Sequence, residues 1–156
     1  MFMTEEEIEK CQLKILGKEM SQNVLIHGFC GIFALVLHDK LKCRIRKLVD
    51  AYGLVHAYGI IENTPYSMLY LDARGWTQYE DVLLEEFHEL CDIPVDDNFV
   101  GMSEYGYGYG RIEDLDGDAI DEFRYEIKES LTSEEYADVY KQSTAIIEKW
   151  NFQTDL

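Results

Sequence analysis

Long apolar runs are missing from this chain: nothing approaches the roughly 20 consecutive residues that a membrane-spanning helix requires, which argues against a membrane role. Paired cysteines are missing too. Cys11, Cys30, Cys43 and Cys91 lie far apart with no Cys-x-x-Cys spacing, so neither a zinc knuckle nor a disulfide framework is suggested, and free thiols are expected. Basic residues are scarce beyond position 50. Residues 1–50 hold eight Lys/Arg against seven Asp/Glu, whereas residues 51–156 hold six against 24, within a net charge of -17. That acidic majority disfavours direct binding of nucleic acid and favours a basic protein partner. The same charge also serves a soluble protein that keeps itself apart by self-repulsion. Basic signal-like character is absent from Met-Phe-Met-Thr-Glu-Glu-Glu, so a cytoplasmic location is expected. There is no domain-length repeat and no linker.

What is present is enough apolar material for one core. With 47% hydrophobic and 13% aromatic residues in 156, a single domain over 1–156 is expected. Thr4 with Glu7 forms a capping box, and the Ile8, Cys11, Ile15 spacing predicts an amphipathic helix to about Met20. Cys30 to Leu41 is apolar nearly all round, the mark of a buried central helix. From Cys43 the period becomes two, and Leu54–Glu62 and Met68–Arg74 read as strands joined by a turn at Asn63-Thr64-Pro65. Thr77 with Glu80 predicts a helix through Leu90; residues 91–112 read as irregular chain with one or two strands; helices follow over about 118–129 and 132–150. This order predicts an α+β fold, a central buried helix on a small antiparallel sheet with flanking N- and C-terminal helices. The basic cluster Lys40, Lys42, Arg44, Arg46 and Lys47 reads as a solvated helix end and strand face.

Chemistry concentrates on three residues. Cys30 lies between Phe29 and Gly31 at the start of the buried helix, where the helix dipole favours the thiolate, the reactive form. If the hairpin closes with Glu62 opposite Tyr66, His56 lies directly across from Asp72. A slip of two keeps them diagonal neighbours on one face; a slip of one separates them. Singly, each residue also has an ordinary reading: a core thiol, a structural histidine, an aspartate beginning a turn. Their joint placement is what makes a nucleophile, a base and an orienting carboxylate. His27, three residues before the thiol, is a rival base; His38 is carried about 12 Å along the helix axis by eight residues, and His88 reads as a surface residue.

Gly-Phe-Cys-Gly opening a buried helix, then Leu-Val-His-Ala-Tyr, then Leu-Asp-Ala-Arg-Gly, resembles the core of the papain-like cysteine hydrolases, nearest to their NlpC/P60 and transglutaminase-like branches, over residues 22–76. The resemblance implies a papain-like fold and thiol attack on an amide or ester carbonyl of a peptide or protein substrate, with no cofactor. It implies Cys30 as nucleophile, His56 as general base and later acid, and Asp72 as the group fixing the imidazole tautomer. The Cys30 backbone N–H, with Gln22 or Asn23, would hold the oxyanion, and Tyr58 and Trp76 would line the acyl cleft. The alternative is a catalytically inactive acidic binding or inhibitor protein on the same fold, occupying a basic site on a partner.

Two further segments draw attention. Tyr105 to Gly110, with Tyr107 at its centre, alternates tyrosine and glycine and reads either as a substrate-contacting lid or as a loop whose tyrosines pack on the core. Glu113 to Asp118 is acidic like a calcium loop, but aligning Gly117 with the obligatory glycine puts Ile112 and Phe123 where carboxylates are needed. A turn opening a helix is expected there, and no metal site is nominated.

Overall fold

Thr4 and Thr132 each stop the chain in extended conformation and cap the helix that follows, the hydroxyl taking the N–H of Glu7 or Glu135 while that glutamate reaches back to the cap N–H. Between and around these two starts, a computed structural model describes residues 1–64, 67–87 and 110–150. The elements are α1 (Glu5–Lys10), β1 (Gln12–Ile15), β2 (Lys18–Ser21), α2 (Val24–His27), α3 (Cys30–Leu41), β3 (Arg44–Asp50), β4 (Gly53–Thr64), β5 (Ser67–Asp72), β6 (Gly75–Thr77), α4 (Glu80–Leu84), a 3-10 turn (Glu85–Phe87), β7 (Arg111–Leu115), α5 (Gly117–Glu129) and α6 (Ser133–Lys149). No helix among the described residues is long and apolar enough to cross a membrane.

β3 to β6 run as consecutive antiparallel neighbours, and β7 adds to the free edge of β3, giving the order β6-β5-β4-β3-β7. The fold is α+β with an antiparallel sheet. β1 and β2 form a separate hairpin. The helix α3 is buried from Cys30 through Leu37, and packs on β4 and α6. Residue 31 has no room for a side chain: a Cβ there would run into Ile127 and Phe123 of α5, so glycine lets α5 cover the first turn of α3. α3 ends where Lys42 adopts the left-handed conformation and its N–H returns to the carbonyls of Leu37 and His38. Phe33, Tyr58 and Phe87 are among the largest fully sealed side chains, each contributing roughly 1.5–3 kcal/mol by burial.

Three sequence expectations are corrected. The N-terminal helix stops at Lys10 rather than Met20. Leu16 and Gly17 both take positive φ, 51° and 82°, a two-residue hairpin turn that buries Leu13 and Ile15 on one strand face while Gln12 and Lys14 face solvent. The Ile8, Cys11, Ile15 spacing therefore straddles two elements. Thr77 caps nothing: it ends β6, its hydroxyl accepts the Tyr79 N–H at 3.3 Å, and α4 starts from Tyr79 without a side-chain cap. The helix expected to reach Leu90 ends at Leu84 and tightens into the 3-10 turn, where Phe87 is fully buried. Expectations for residues 88–109, including His88, Cys91 and Tyr107, lie outside the described residues, as do Pro65 and Tyr66. The acidic stretch at 113–118 does open a helix, with Asp116 accepting the Ala119 N–H at 3.0 Å.

Candidate active site

Cys30 is the first residue of α3 and 6% exposed. The short helix α2 ends at His27, and Gly28 and Phe29 turn the chain into α3, so the thiol stands at a 12-residue helix's N-terminus. First-turn N–H groups of an α-helix have no partner within it, and together with the dipole they favour negative charge there.

His56 and Asp72 come from β4 and β5. The observed pairs Gly59 with Leu71 and Glu62 with Met68 place the register two residues from the one that sets His56 directly across from Asp72. The correction is a slip of two, caused by the hairpin closing at Thr64 and Ser67 with an irregularity after Glu62. Because side chains alternate with period two, the pair stays on one face as diagonal neighbours, and His56 Nε2 meets Asp72 Oδ2 at 3.0 Å. Both side chains are sealed, at 0% and 2% exposure. His56 Nδ1 has no partner at full hydrogen-bond geometry among the described residues. Cys30 is nonetheless, after Asp72, one of the groups whose hydrogen bonding and charge favour the protonated ring. The ring is thus held at Nε2 by Asp72, and among the described residues its Nδ1 accepts or donates no hydrogen bond of full geometry.

Residues not foreseen from sequence complete the surroundings. Arg74 is 4% exposed, donates to both Asp72 oxygens, and pairs with Glu86, which is bonded in turn to His27 at 2.9 Å. Phe87 stacks on His56 at 4.4 Å between centroids, with Tyr58 on the same ring at 5.9 Å. Tyr58 is a correction: it is fully buried and not a cleft wall, its hydroxyl donating to Glu80 at 2.7 Å beside Arg46. The signal for Arg74 was available, since a cation two residues after a strand-ending aspartate reaches the same carboxylate. None pointed to Glu86, which is one of several acidic residues after Glu80.

Burial opposes charge on His56, but bonding to Asp72 and to Cys30 outweighs it and the ring is raised to about 9. Burial likewise opposes charge on Asp72, and His56 and Arg74 hold its carboxyl below the usual range. A histidine raised in the folded state stabilises the protein fully below its unfolded pKa near 6.5 and loses that contribution as pH climbs through about 9. The lowered carboxyl works oppositely, its contribution present above about 4 and lost on acidification. Urea unfolding is therefore expected to show the ring's own contribution falling as pH rises from 6.5 through about 9, with His56→Gln removing it. An unchanged slope in the variant would count against the pairing.

The other nominated residues are not gathered at the thiol by any described contact. Gln22 donates its amide to the Gln12 carbonyl at 3.4 Å, and Trp76 sits edge-on to Trp150 with centroids 5.6 Å apart. Asn23 has a buried amide oxygen with no hydrogen-bond partner among the described residues. His38 bonds the Cys43 carbonyl at 2.8 Å. Cys11, Cys30 and Cys43 are free thiols, and burial pushes Cys43 up to about 12. Glu5, His27 and Glu86 bring donor atoms within 4.8 Å of one another, but both Glu86 oxygens already face cationic or ring partners. No family model matches this chain, and neither does any curated protein or solved structure.

Proposed function

We propose that the chain is a cysteine-dependent hydrolase or acyl transferase acting on an amide bond of a peptide or protein, with Cys30, His56 and Asp72 as its papain-like triad. One observation carries the reading: a sealed imidazole whose Nε2 is fixed by a carboxylate at 3.0 Å, whose Nδ1 has no hydrogen-bond partner among the described residues, and whose protonated form is favoured by a thiol at a helix N-terminus. An imidazole whose protonated form is favoured by Asp72 on one side and by Cys30 on the other can take the thiol proton, leaving a thiolate beside an imidazolium.

The thiolate adds to the carbonyl carbon, forming the C–S bond as the π pair moves to oxygen. Backbone N–H groups at the start of α3 would donate hydrogen bonds to that oxygen as its charge develops. As the carbonyl re-forms, the C–N bond breaks and the imidazolium proton goes to the departing amine. Water, or an acceptor amine for transfer, then gives its proton to His56 and attacks the thioester carbonyl. The C–S bond breaks and the thiolate returns. Asp72 keeps Nε2–H in place throughout, so the lone pair that works is on Nδ1.

Competitive alkylation by iodoacetamide at pH 7, with the modified cysteines mapped by mass spectrometry, tests this. Cys30 is expected to react faster than Cys11 despite being more buried, and Cys43, pushed up to about 12, is expected to lag behind both. Equal or slower modification of Cys30 than of Cys11 would remove the ground for a catalytic thiol.

A further inference from the structure

Resting on the triad reading above, we propose that Arg74 and Glu86 are positioning residues for the thiol: Arg74 holds the Asp72 carboxylate where it takes the His56 Nε2–H, and Glu86 balances the Arg74 charge so that the ring can stay protonated beside Cys30.

Arg74 sits in the two-residue turn between β5 and β6, where Asp72 pairs with Gly75. Gly75 takes φ of 120°, and a Cβ there would run into the Met1 carbonyl, so the turn is confined by the N-terminal residues. The Arg74 backbone N–H and Nε bond Asp72 Oδ1 at 2.9 and 3.2 Å, and Nη2 bonds Oδ2 at 2.6 Å. Oδ2 is the oxygen that also receives His56. With both oxygens engaged, the carboxylate has one pose. The guanidinium is fixed independently by the Leu83 carbonyl at 2.8 Å and by the Phe2 ring at 4.5 Å. A carboxylate held this way has its direction set before the ring arrives.

Holding Asp72 with a cation carries an electrostatic cost. A buried guanidinium sharing an oxygen with His56 repels an imidazolium at short range. Glu86 answers that charge: it pairs with Arg74 Nη1 and is anchored by His27, so Asp72, Arg74 and Glu86 alternate in sign outward from the ring. Among the described residues, the other charged or titratable groups near the ring are Cys30 from α3 and Tyr58 from β4, behind which stand Glu80 of α4 and Arg46 of β3. Leu48, the cross-strand neighbour from β3, and the stacked Phe87 are apolar. Among these, Glu86 is the carboxylate paired with Arg74 beyond Asp72 itself.

This division of labour gives effects of opposite sign, which a merely structural role does not. In the full-length protein, the His56 ring is titrated by NMR, its signal assigned with His56→Gln. Glu86→Gln, leaving Arg74 unbalanced, is expected to lower the ring pKa by about one unit or more. Arg74→Met is expected to raise it. Arg74→Lys keeps the charge without the fork, so it is expected to leave the titration near wild type while slowing Cys30 alkylation. Shifts in the same direction, or titrations of Glu86→Gln within a few tenths of a unit of wild type, would overturn the proposal. If Arg74→Met fails to fold, Glu86→Gln and Arg74→Lys decide. The ring titration reads out even when the thiol is inert, so slow Cys30 alkylation in the wild type defeats the triad reading, and an unmoved titration defeats this one.

Discussion

Alkylation of Cys30 is expected to slow by about 10²–10⁴-fold in His56→Gln, the range a positioned acid–base group supplies, while Cys11 is modified at its wild-type rate. The reason is local. Among the described residues, the base beside the thiol is an imidazole whose other nitrogen is already committed, because Asp72 takes Nε2–H and both Phe87 and Tyr58 stack on the ring. Removing the ring leaves no described group to receive the thiol proton at that place. Gln keeps most of the buried volume and a donor for Asp72, so the loss reports on proton transfer more than on packing. Circular dichroism before labelling establishes that the variant is folded. If a folded His56→Gln protein still labels Cys30 at the wild-type rate, the helix terminus alone governs the thiol and the triad is not working as one.

Asp72→Ala is expected to destabilise the fold by about 3–5 kcal/mol, among the largest effects of any single substitution here. Asp72 is 2% exposed and receives His56, the Arg74 backbone and the Arg74 guanidinium. Deleting it leaves a guanidinium at 4% exposure with one carboxylate instead of two, and leaves the His56 Nε2–H without an acceptor. The cost is that of stranding buried polar groups rather than of losing one bond. Urea midpoints at pH 6, compared with Asp72→Asn and with the double variant Asp72→Asn/Arg74→Met, check it. The double variant is expected to recover part of the loss, since removing both partners no longer buries an uncompensated charge. A change below about 1 kcal/mol for Asp72→Ala would mean the cluster is solvated in solution.

The parts of the fold that were readable are those written in short-range chemistry. Thr4 with Glu7 and Thr132 with Glu135 are capping boxes because two backbone N–H groups find acceptors three residues away, whatever surrounds them. The apolar span from Cys30 to Leu37 has no polar face to expose, so its burial follows from composition. The first hairpin shows the limit. Ile8, Cys11 and Ile15 fit a helical stripe, yet Leu16 and Gly17 take positive φ, and Asp138 of α6 accepts the Leu16 N–H at 2.6 Å, an interaction 122 residues away in sequence. Thr77 misled for a related reason: β6 pairs with β5, and that ladder competes with the cap.

What the sequence determined by itself, then, is a cysteine at the head of a buried helix, and a histidine and an aspartate on strands whose two-residue period preserves their shared face under a slip of two. What only the tertiary structure decided is how the three are held. The irregularity after Glu62 made the pair diagonal, the tightening after Leu84 brought Phe87 onto the ring, and Glu86 reached Arg74 from an element whose sequence is simply acidic. The physical reason is range: caps, periodicity and composition act within a few residues. The charge of a buried imidazole depends on every group within a few ångströms, and here those groups come from α3, β4, β5, the turn after it and the chain beyond α4.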